Sequence, residues 1–100
     1  MMAMKLLMLI VDGEKKEELE VFLSRAGVIG FTEIPNATGF GETGPRLGSR
    51  AFPKTSAIIF TVIAADALDR LVADLKTYCA DCSERLKMLV WGVEDVLTAG

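Results

Sequence analysis

The chain has 100 residues, enough for one domain with one modest core, and it carries a net charge of −3 with no histidine. Hydrophobic residues make up 51% of it and nine glycines add to that share, whereas ordinary domains reach about 45–50% with glycine included. The acidic balance argues against binding to nucleic acid or to an anionic membrane surface, and the apolar excess predicts a subunit interface.

No apolar run approaches the roughly 20 residues that a membrane helix requires. The longest run, Leu6 to Val11, is also too short for a signal sequence. We therefore expect no membrane insertion and a cytoplasmic location, where cysteines are usually reduced.

The first elements are a strand over Met4–Val11, almost continuously apolar, and a helix over Glu14–Ala26. Asp12 is placed to cap the helix, and Gly27 is placed to end it. The apolar stripe of this helix comprises Leu19, Phe22, Leu23 and Ala26. Its water-facing residues are predicted to be Lys15, Lys16, Glu17, Glu18 and Glu20.

A strand predicted over Gly30–Pro35 completes the first half of the chain, and the second half repeats the same order. The β-branched segment Ser56–Ala64 is its first predicted strand, and a long loop separates the two strands. Asp66 is expected to cap a second helix, Lys87–Trp91 to form the last strand, and Val93–Leu97 to form a closing turn or short helix. The stripe of the second helix comprises Leu68, Leu71, Val72, Leu75 and Cys79.

The two helical stripes recur at a fixed offset along the chain, which indicates two copies of a strand–helix–strand unit. Two such units predict an α+β, ferredoxin-like βαββαβ sandwich, with an antiparallel four-stranded sheet and both helices on one face. Residues 1–100 then form a single domain. The other sheet face is left bare and is expected to meet further subunits.

The 38–55 loop between the two middle strands is rich in glycine and proline. It carries three cations (Arg46, Arg50 and Lys54) and one acid (Glu42), so it is basic in an acidic chain. These features are typical of an anion site, although a mobile surface loop without a ligand is the alternative. Gly39–Gly44 fits G-x-G-x-x-G, but the prolines that follow exclude the helix that a dinucleotide fold needs.

Cys79 and Cys82 have C-x-x-C spacing, which serves a dithiol switch or half of a thiolate metal site. They end a helix, where the helix dipole disfavours thiolate, and Cys79 continues the apolar stripe. A core cysteine beside an incidental neighbour is therefore the structural alternative. A trimeric metal- or redox-responsive protein is the functional alternative.

Several short motifs resemble the PII signal-transduction superfamily over nearly the whole chain. Phe31-Thr-Glu-Ile34 and Thr38-Gly-Phe-Gly41 resemble the Thr-Glu-Val and Gly-Phe-Gly run that opens the family's T-loop. Phe52-Pro-Lys54 is similar to the Leu-Pro-Lys that closes it. Lys87–Val90 and Val93–Leu97 resemble the last strand and the segment after it.

The resemblance implies a non-enzymatic homotrimer that binds ATP or ADP between subunits and regulates a protein target through the 38–55 loop. Arg46 and Arg50 are expected near the tip of that loop, where a partner would bind. By correspondence, the nucleotide or anion site comprises Gly39, Phe40, Gly41, Thr43, Lys54, Lys87, Ile10, Thr32 and Phe60.

The chain also departs from the family pattern. Cys82–Leu86 stands where the family has a glycine-rich phosphate loop, and the only tyrosine, Tyr78, lies outside the 38–55 loop. A small hydrolase of the acylphosphatase type is a third alternative. It is disfavoured because the chain has no histidine and the glycine loop does not follow the first strand.

Overall fold

The computed structural model describes residues 3–42, 44–80 and 86–100. Short 3-10 turns, Gly13–Lys15 and Ala65–Ala67, lead into the two helices. The elements are β1 (Ala3–Asp12), α1 (Lys16–Arg25), β2 (Thr32–Ala37), β3 (Gly39–Gly41), β4 (Gly44–Arg46), β5 (Ser56–Ala64), α2 (Leu68–Cys79) and β6 (Leu86–Glu94).

Four of these strands form one antiparallel sheet in the order β2-β5-β1-β6, and β3 and β4 form a separate hairpin. Both helices pack on the same face of the sheet, because their buried leucines join one cluster with alternate residues of β1 and β5. The predicted ferredoxin-like sandwich is confirmed.

The helix-covered face holds the hydrophobic core. Side chains alternate across a strand, so every second residue of β1 and β5 points to the helices. The helical stripes supply leucines at a spacing of four residues, as predicted for both helices. The buried apolar residues are Leu7, Leu9, Val11, Leu19, Leu23, Ala57, Ile59, Ile63, Leu71 and Leu75.

The opposite face of the sheet is also apolar but remains accessible. Val62 is 50% exposed and Trp91 is 46% exposed, values far above those of the core leucines. By strand register this face comprises Leu6, Met8, Ile10, Ile34, Ile58, Phe60, Val62, Leu89 and Trp91. We call it the open face.

The ends of α1 follow the sequence prediction. The Asp12 carboxylate accepts a hydrogen bond from the Glu14 N–H at 2.9 Å and so caps the preceding 3-10 turn. Gly27 has φ of 91°, its N–H donates to the Ser24 carbonyl, and the Val28 N–H donates to the Leu23 carbonyl. This pair of bonds is a Schellman motif, which requires a residue that tolerates the left-handed region.

Three expectations about element ends are wrong. Asp66 lies within the 3-10 turn before α2, and no side chain caps that turn or α2. The chain over 93–97 forms neither a turn nor a helix, because β6 stays paired with β1 as far as Glu94 and residues 95–100 have no regular structure. Ala26 is exposed at the end of α1.

The second predicted strand is displaced toward the 38–55 loop. β2 runs over Thr32–Ala37, and its register with β5 shifts between Ile34 and Ala37, where Asn36 has φ of 56°. Pro35 has no N–H to donate, so an edge strand with a bulge is where a sheet accommodates it. The bulge directs the chain from the sheet into the loop.

The 38–55 loop has structure of its own. β3 and β4 form a hairpin in which Phe40 lies opposite Pro45. The next residues fold back on themselves, since the Ser49 N–H donates to the Phe52 carbonyl at 3.0 Å. The end of the loop returns to β1, because the Gly13 N–H donates to the Thr55 carbonyl at 3.0 Å.

Glu20 was predicted to face water, and that prediction is wrong. The packing of α1 beside β2 brings Glu20 to Glu33, whose carboxylate accepts a hydrogen bond from Lys16 at 3.1 Å. Within the described residues, Oε2 of Glu20 is buried without a hydrogen-bond partner. Burial and the adjacent carboxyl group of Glu33 raise the pKa of Glu20 to about 7.

Candidate functional site

A cleft of about 730 Å³ lies at one end of the sheet, beneath the β3–β4 hairpin. It forms there because the end of β1 lies beside the starts of β5 and β6, while the bulged end of β2 carries the hairpin toward them. Its lining residues are Ile10, Val11, Asp12, Ala37, Thr38, Gly39, Phe40, Gly41, Glu42, Gly44, Arg46, Ser56, Ile58, Leu86 and Lys87.

The floor of the cleft joins apolar surface to a cation. Ile10 lies directly opposite Ile58 on one side and opposite Lys87 on the other, so the three residues form a row across the sheet. This row belongs to the open face. It offers an apolar surface with an ammonium group at one side.

The hairpin strand β3 presents backbone to the cleft. A Cβ built on Gly39 or on Gly41 would meet no heavy atom within 4 Å, and neither residue has positive φ. Neither packing nor backbone conformation therefore requires glycine at these positions. Phe40 between them is 84% exposed, so the hairpin leaves both an aromatic ring and main-chain groups accessible.

An ion pair stands in the wall of the cleft. Nη1 of Arg46 donates to Oδ2 of Asp12 at 2.8 Å, and the two side chains are 18% and 4% exposed. Burial alone would raise the pKa of Asp12. The hydrogen bonds from Arg46 and the Glu14 N–H, with the charges of Arg46 and Lys54, lower it overall.

Most of the expected site residues are brought together here. Ile10, Gly39, Phe40, Gly41 and Lys87 all line the cleft. Of the expected base-lining residues, Thr32 and Phe60 lie outside the lining. They are paired with each other across β2 and β5, two residues along from Ile58. Their roles stay predictions.

The remaining loop residues are placed differently from one another. Lys54 is exposed and outside the lining, although its charge acts on the Asp12 carboxyl. Arg50 is exposed, as a residue near a loop tip would be. Arg46 is not at an exposed tip, because its side chain lies against Asp12. Thr43 lies outside the described residues.

The cysteine hypothesis is not tested. Cys79 is half-buried at the end of α2, and Cys82 lies outside the described residues. Within 3–42, 44–80 and 86–100, no group of three or more histidine, cysteine, aspartate or glutamate side chains is placed to hold a metal ion. Nor does that part of the chain contain a helix long and apolar enough to cross a membrane.

Sequence reasoning assigned Asp12 to a helix cap, and it assigned Arg46 to the cations of the 38–55 loop and to the tip of that loop. The structure joins them across 34 positions of the chain. One signal was available: an acid that directly follows a buried apolar strand needs a partner, and the loop has an excess of cations. Which of those cations it takes depends on how the loop folds back.

The fold defines a ferredoxin-like α+β protein with a cleft under the β3–β4 hairpin. A profile of the nitrogen regulatory protein P-II family matches residues 4–99, and this chain belongs to that family. Members of the family are regulatory signalling proteins. No curated protein sequence matches the chain.

Solved structures of PII-like proteins share the fold. CPII from Thiomonas intermedia K12, bound to ADP, AMP and bicarbonate, is 24% identical with a TM-score of 0.69, over 91% of this chain and 88% of that one. A DUF3240 family protein from Shewanella baltica OS155 is 19% identical with a TM-score of 0.73, over 100% of both chains. A putative PII-like signalling protein from Thermus thermophilus is 16% identical with a TM-score of 0.65, over 92% of this chain and 90% of that one.

Proposed function

We propose that this chain is a non-enzymatic, cytoplasmic PII-like sensor. It assembles as a homotrimer and binds an adenine nucleotide, ATP or ADP, in the cleft. It signals to a protein target, an enzyme, transporter or regulator, through the 38–55 loop.

The observation that carries the nucleotide assignment is the empty space beside Gly39 and Gly41. Glycine at both positions leaves main chain open to the cleft where packing does not demand it. A phosphate group can approach backbone N–H groups closely only where no side chain intervenes. Lys87 supplies a cation for the same ligand, and Phe40 and Ile10 supply apolar surface for a base.

The size of the cleft agrees with this ligand, since small-molecule sites usually enclose about 300–1,000 Å³. The structure of CPII with ADP, AMP and bicarbonate bound supports the choice of an adenine nucleotide. We further propose that Lys54, whose charge already reaches Asp12, contributes to phosphate binding when the loop closes on the ligand.

The test compares two glycines by calorimetry. Gly41→Ala would project a methyl group into the cleft without touching any protein atom, so the fold should be kept while the affinity for ADP falls roughly tenfold or more. Gly30→Ala is the matched control, since it also has open space around it but lies outside the cleft. No heat of binding with either ADP or ATP in the unmodified protein would refute the assignment.

The open face supports the proposed trimer. It is continuous across all four strands of the main sheet, and exposed apolar area of this kind is usually covered by another subunit. Val62→Glu, in the open face, should dissociate the trimer in light-scattering measurements. Val21→Glu is the control and should leave the trimer intact. Val21 is as exposed as Val62, 51% against 50%, but it lies on α1 and outside the open face. A monomer mass for the unmodified protein would contradict the proposal.

The 38–55 loop has surface suited to a protein partner. Leu47 and Phe52 are 47% and 45% exposed, and Arg50 is exposed beside them. Aromatic residues and arginine are enriched where proteins bind one another.

A further inference from the structure

The Asp12–Arg46 ion pair connects the loop to the sheet at the wall of the cleft. Asp12 is the last residue of β1, and Arg46 is the last residue of β4 in the hairpin. Their contact at 2.8 Å therefore fixes the hairpin against the end of the sheet. Both residues also line the cleft.

Stability alone is a weak reason for such a pair. Removing two charges from water costs free energy that their attraction often fails to recover, and apolar residues of similar size commonly serve as well. The pair here faces a ligand-sized space and is not sealed in the core. Its position indicates that the guanidinium is held for a purpose at the cleft.

We propose that Arg46 is an anion-binding residue of the cleft and that Asp12 is the positioning residue that holds its guanidinium there. The inference rests on the proposed function, because it assigns a new contact to the same ligand. Its ligand is an oxyanion, which is either a phosphate of the nucleotide or a free anion such as bicarbonate.

The chemistry of the guanidinium supports this role. It carries five N–H donors in a planar fork, and that fork matches the geometry of an oxyanion. Oδ2 of Asp12 accepts a hydrogen bond from Nη1 of Arg46, and Oδ1 accepts one from the Glu14 N–H, which fixes the carboxylate. An arginine anchored in this way loses little side-chain entropy when it binds a ligand.

The charged residues that line the cleft balance one another. Among its described lining residues are two acids, Asp12 and Glu42, and two cations, Arg46 and Lys87. An anion is therefore not drawn in by net charge, and recognition depends on how the donors are aimed. Two opposite predictions follow for the loss of the Asp12 charge.

The experiment measures affinity for ADP and for adenosine in the unmodified protein and in four variants. Asp12→Asn keeps an acceptor for the Glu14 N–H and is a favourable capping residue, so the fold should be retained. If Asp12 positions Arg46, this variant should bind ADP roughly tenfold more weakly. If Asp12 only repels the anion, the same variant should bind ADP more tightly, which would overturn the inference.

Arg46→Lys should weaken ADP binding to a similar extent, because a lysine lacks the planar fork. Adding Asp12→Asn to Arg46→Lys should then cause little further loss. Arg70→Lys, at an exposed arginine of α2, is the control and should have no effect. Adenosine affinity should be unchanged throughout, whereas an equal loss for adenosine and ADP would show a merely structural role.

Titrations with inorganic phosphate and bicarbonate identify the source of the oxyanion. A loss restricted to ADP assigns Arg46 to a nucleotide phosphate, and a loss for bicarbonate assigns it to the free anion; both support the inference. If Gly41→Ala weakens ADP binding while Asp12→Asn weakens the binding of neither ADP, inorganic phosphate nor bicarbonate, this inference fails and the proposed function stands. If the unmodified protein binds none of these ligands, both fail.

Discussion

Asp12 and Glu20 are two acids that folding withdraws from water, Asp12 just before the first 3-10 turn and Glu20 in the middle of α1, yet their pKa values move in opposite directions. Asp12 meets a guanidinium and a backbone N–H, which outweigh burial and lower its pKa. Glu20 meets another carboxyl group, which adds to burial and raises its pKa to about 7. Burial raises the pKa of both groups, and the neighbour decides whether that rise is reversed, as at Asp12, or increased, as at Glu20.

The two sites also differ in what surrounds them. Asp12 lies in the wall of the cleft, whereas Glu20 lies between α1 and the edge strand β2 and is outside the cleft lining. We therefore expect changes at Asp12 and Arg46 to affect both stability and binding. Changes at Glu20 and Glu33 should affect the pH dependence of stability.

The largest expected effect is that of Arg46→Ala. The variant leaves the Asp12 carboxylate buried without its guanidinium, and breaking one side of a buried ion pair costs about 3 kcal/mol of unfolding free energy. Urea denaturation at pH 7 and fixed protein concentration measures this. Arg50→Ala, at the exposed arginine of the same loop, should stay within about 0.5 kcal/mol.

The loss of unfolding free energy at acidic pH is a second measure of the Asp12–Arg46 ion pair. Because the pKa of Asp12 is lowered by folding, its contribution is present above the ordinary value of 3.8 and is lost as the pH falls through the lower folded value. Arg46→Ala should flatten that loss. Equal effects of Arg46→Ala and Arg50→Ala would show that the ion pair does not anchor the loop.

Glu20→Gln should have a smaller effect of the opposite sign. The pKa of Glu20 is raised from 4.5 to about 7, so its neutral form stabilises the fold below pH 4.5 and that contribution is lost as the pH rises through 7. Glutamine stays neutral and can still donate to Glu33. At pH 8 we expect Glu20→Gln to raise stability by on the order of 2 kcal/mol.

Thermal unfolding from pH 4 to pH 8 measures the difference between Glu20→Gln and the unmodified protein. Glu18→Gln, at a side chain that is 64% exposed, is the control and should follow the unmodified protein. Lys16→Met sharpens the comparison, since the charge of Lys16 lowers the pKa of Glu20 and its removal should move the transition to higher pH. Identical pH profiles for the unmodified protein and the Glu20→Gln variant would mean that Glu20 is ionised in the fold.

Much of the fold followed from local pattern. The apolar residues of the two helices recur at helical spacing, so Leu19, Leu23, Leu71 and Leu75 were predicted to be buried and are. Asp12 and Gly27 were predicted as cap and stop from their positions alone. The same patterns led to a ferredoxin-like sandwich, because two strand–helix–strand units have few other ways to cover their apolar faces.

The local motif placed glycine at 39 and 41, and the structure puts both on the lining of the cleft with open space beside them. Lys87 and Ile10 were assigned by family correspondence, and only the register of β1 with β6 brings them side by side. Thr32 and Phe60 were assigned by family correspondence. They lie on the same sheet face as Ile10 but outside the lining of the cleft. Sequence position alone does not say how far along a face a cavity extends.

What the sequence determined by itself is the four strands of the main sheet, the two helices, their order and the apolar stripes of the helices, since each depends on residues a few positions apart. The β3–β4 hairpin was not predicted, because it depends on how the 38–55 loop folds. Tertiary structure alone decided that Arg46 is taken by Asp12 while Arg50 stays in solvent. It also decided that Glu20 meets Glu33 across the contact between α1 and β2. Such pairs join residues far apart in the chain, and only the packing of strands and helices brings them within hydrogen-bond distance.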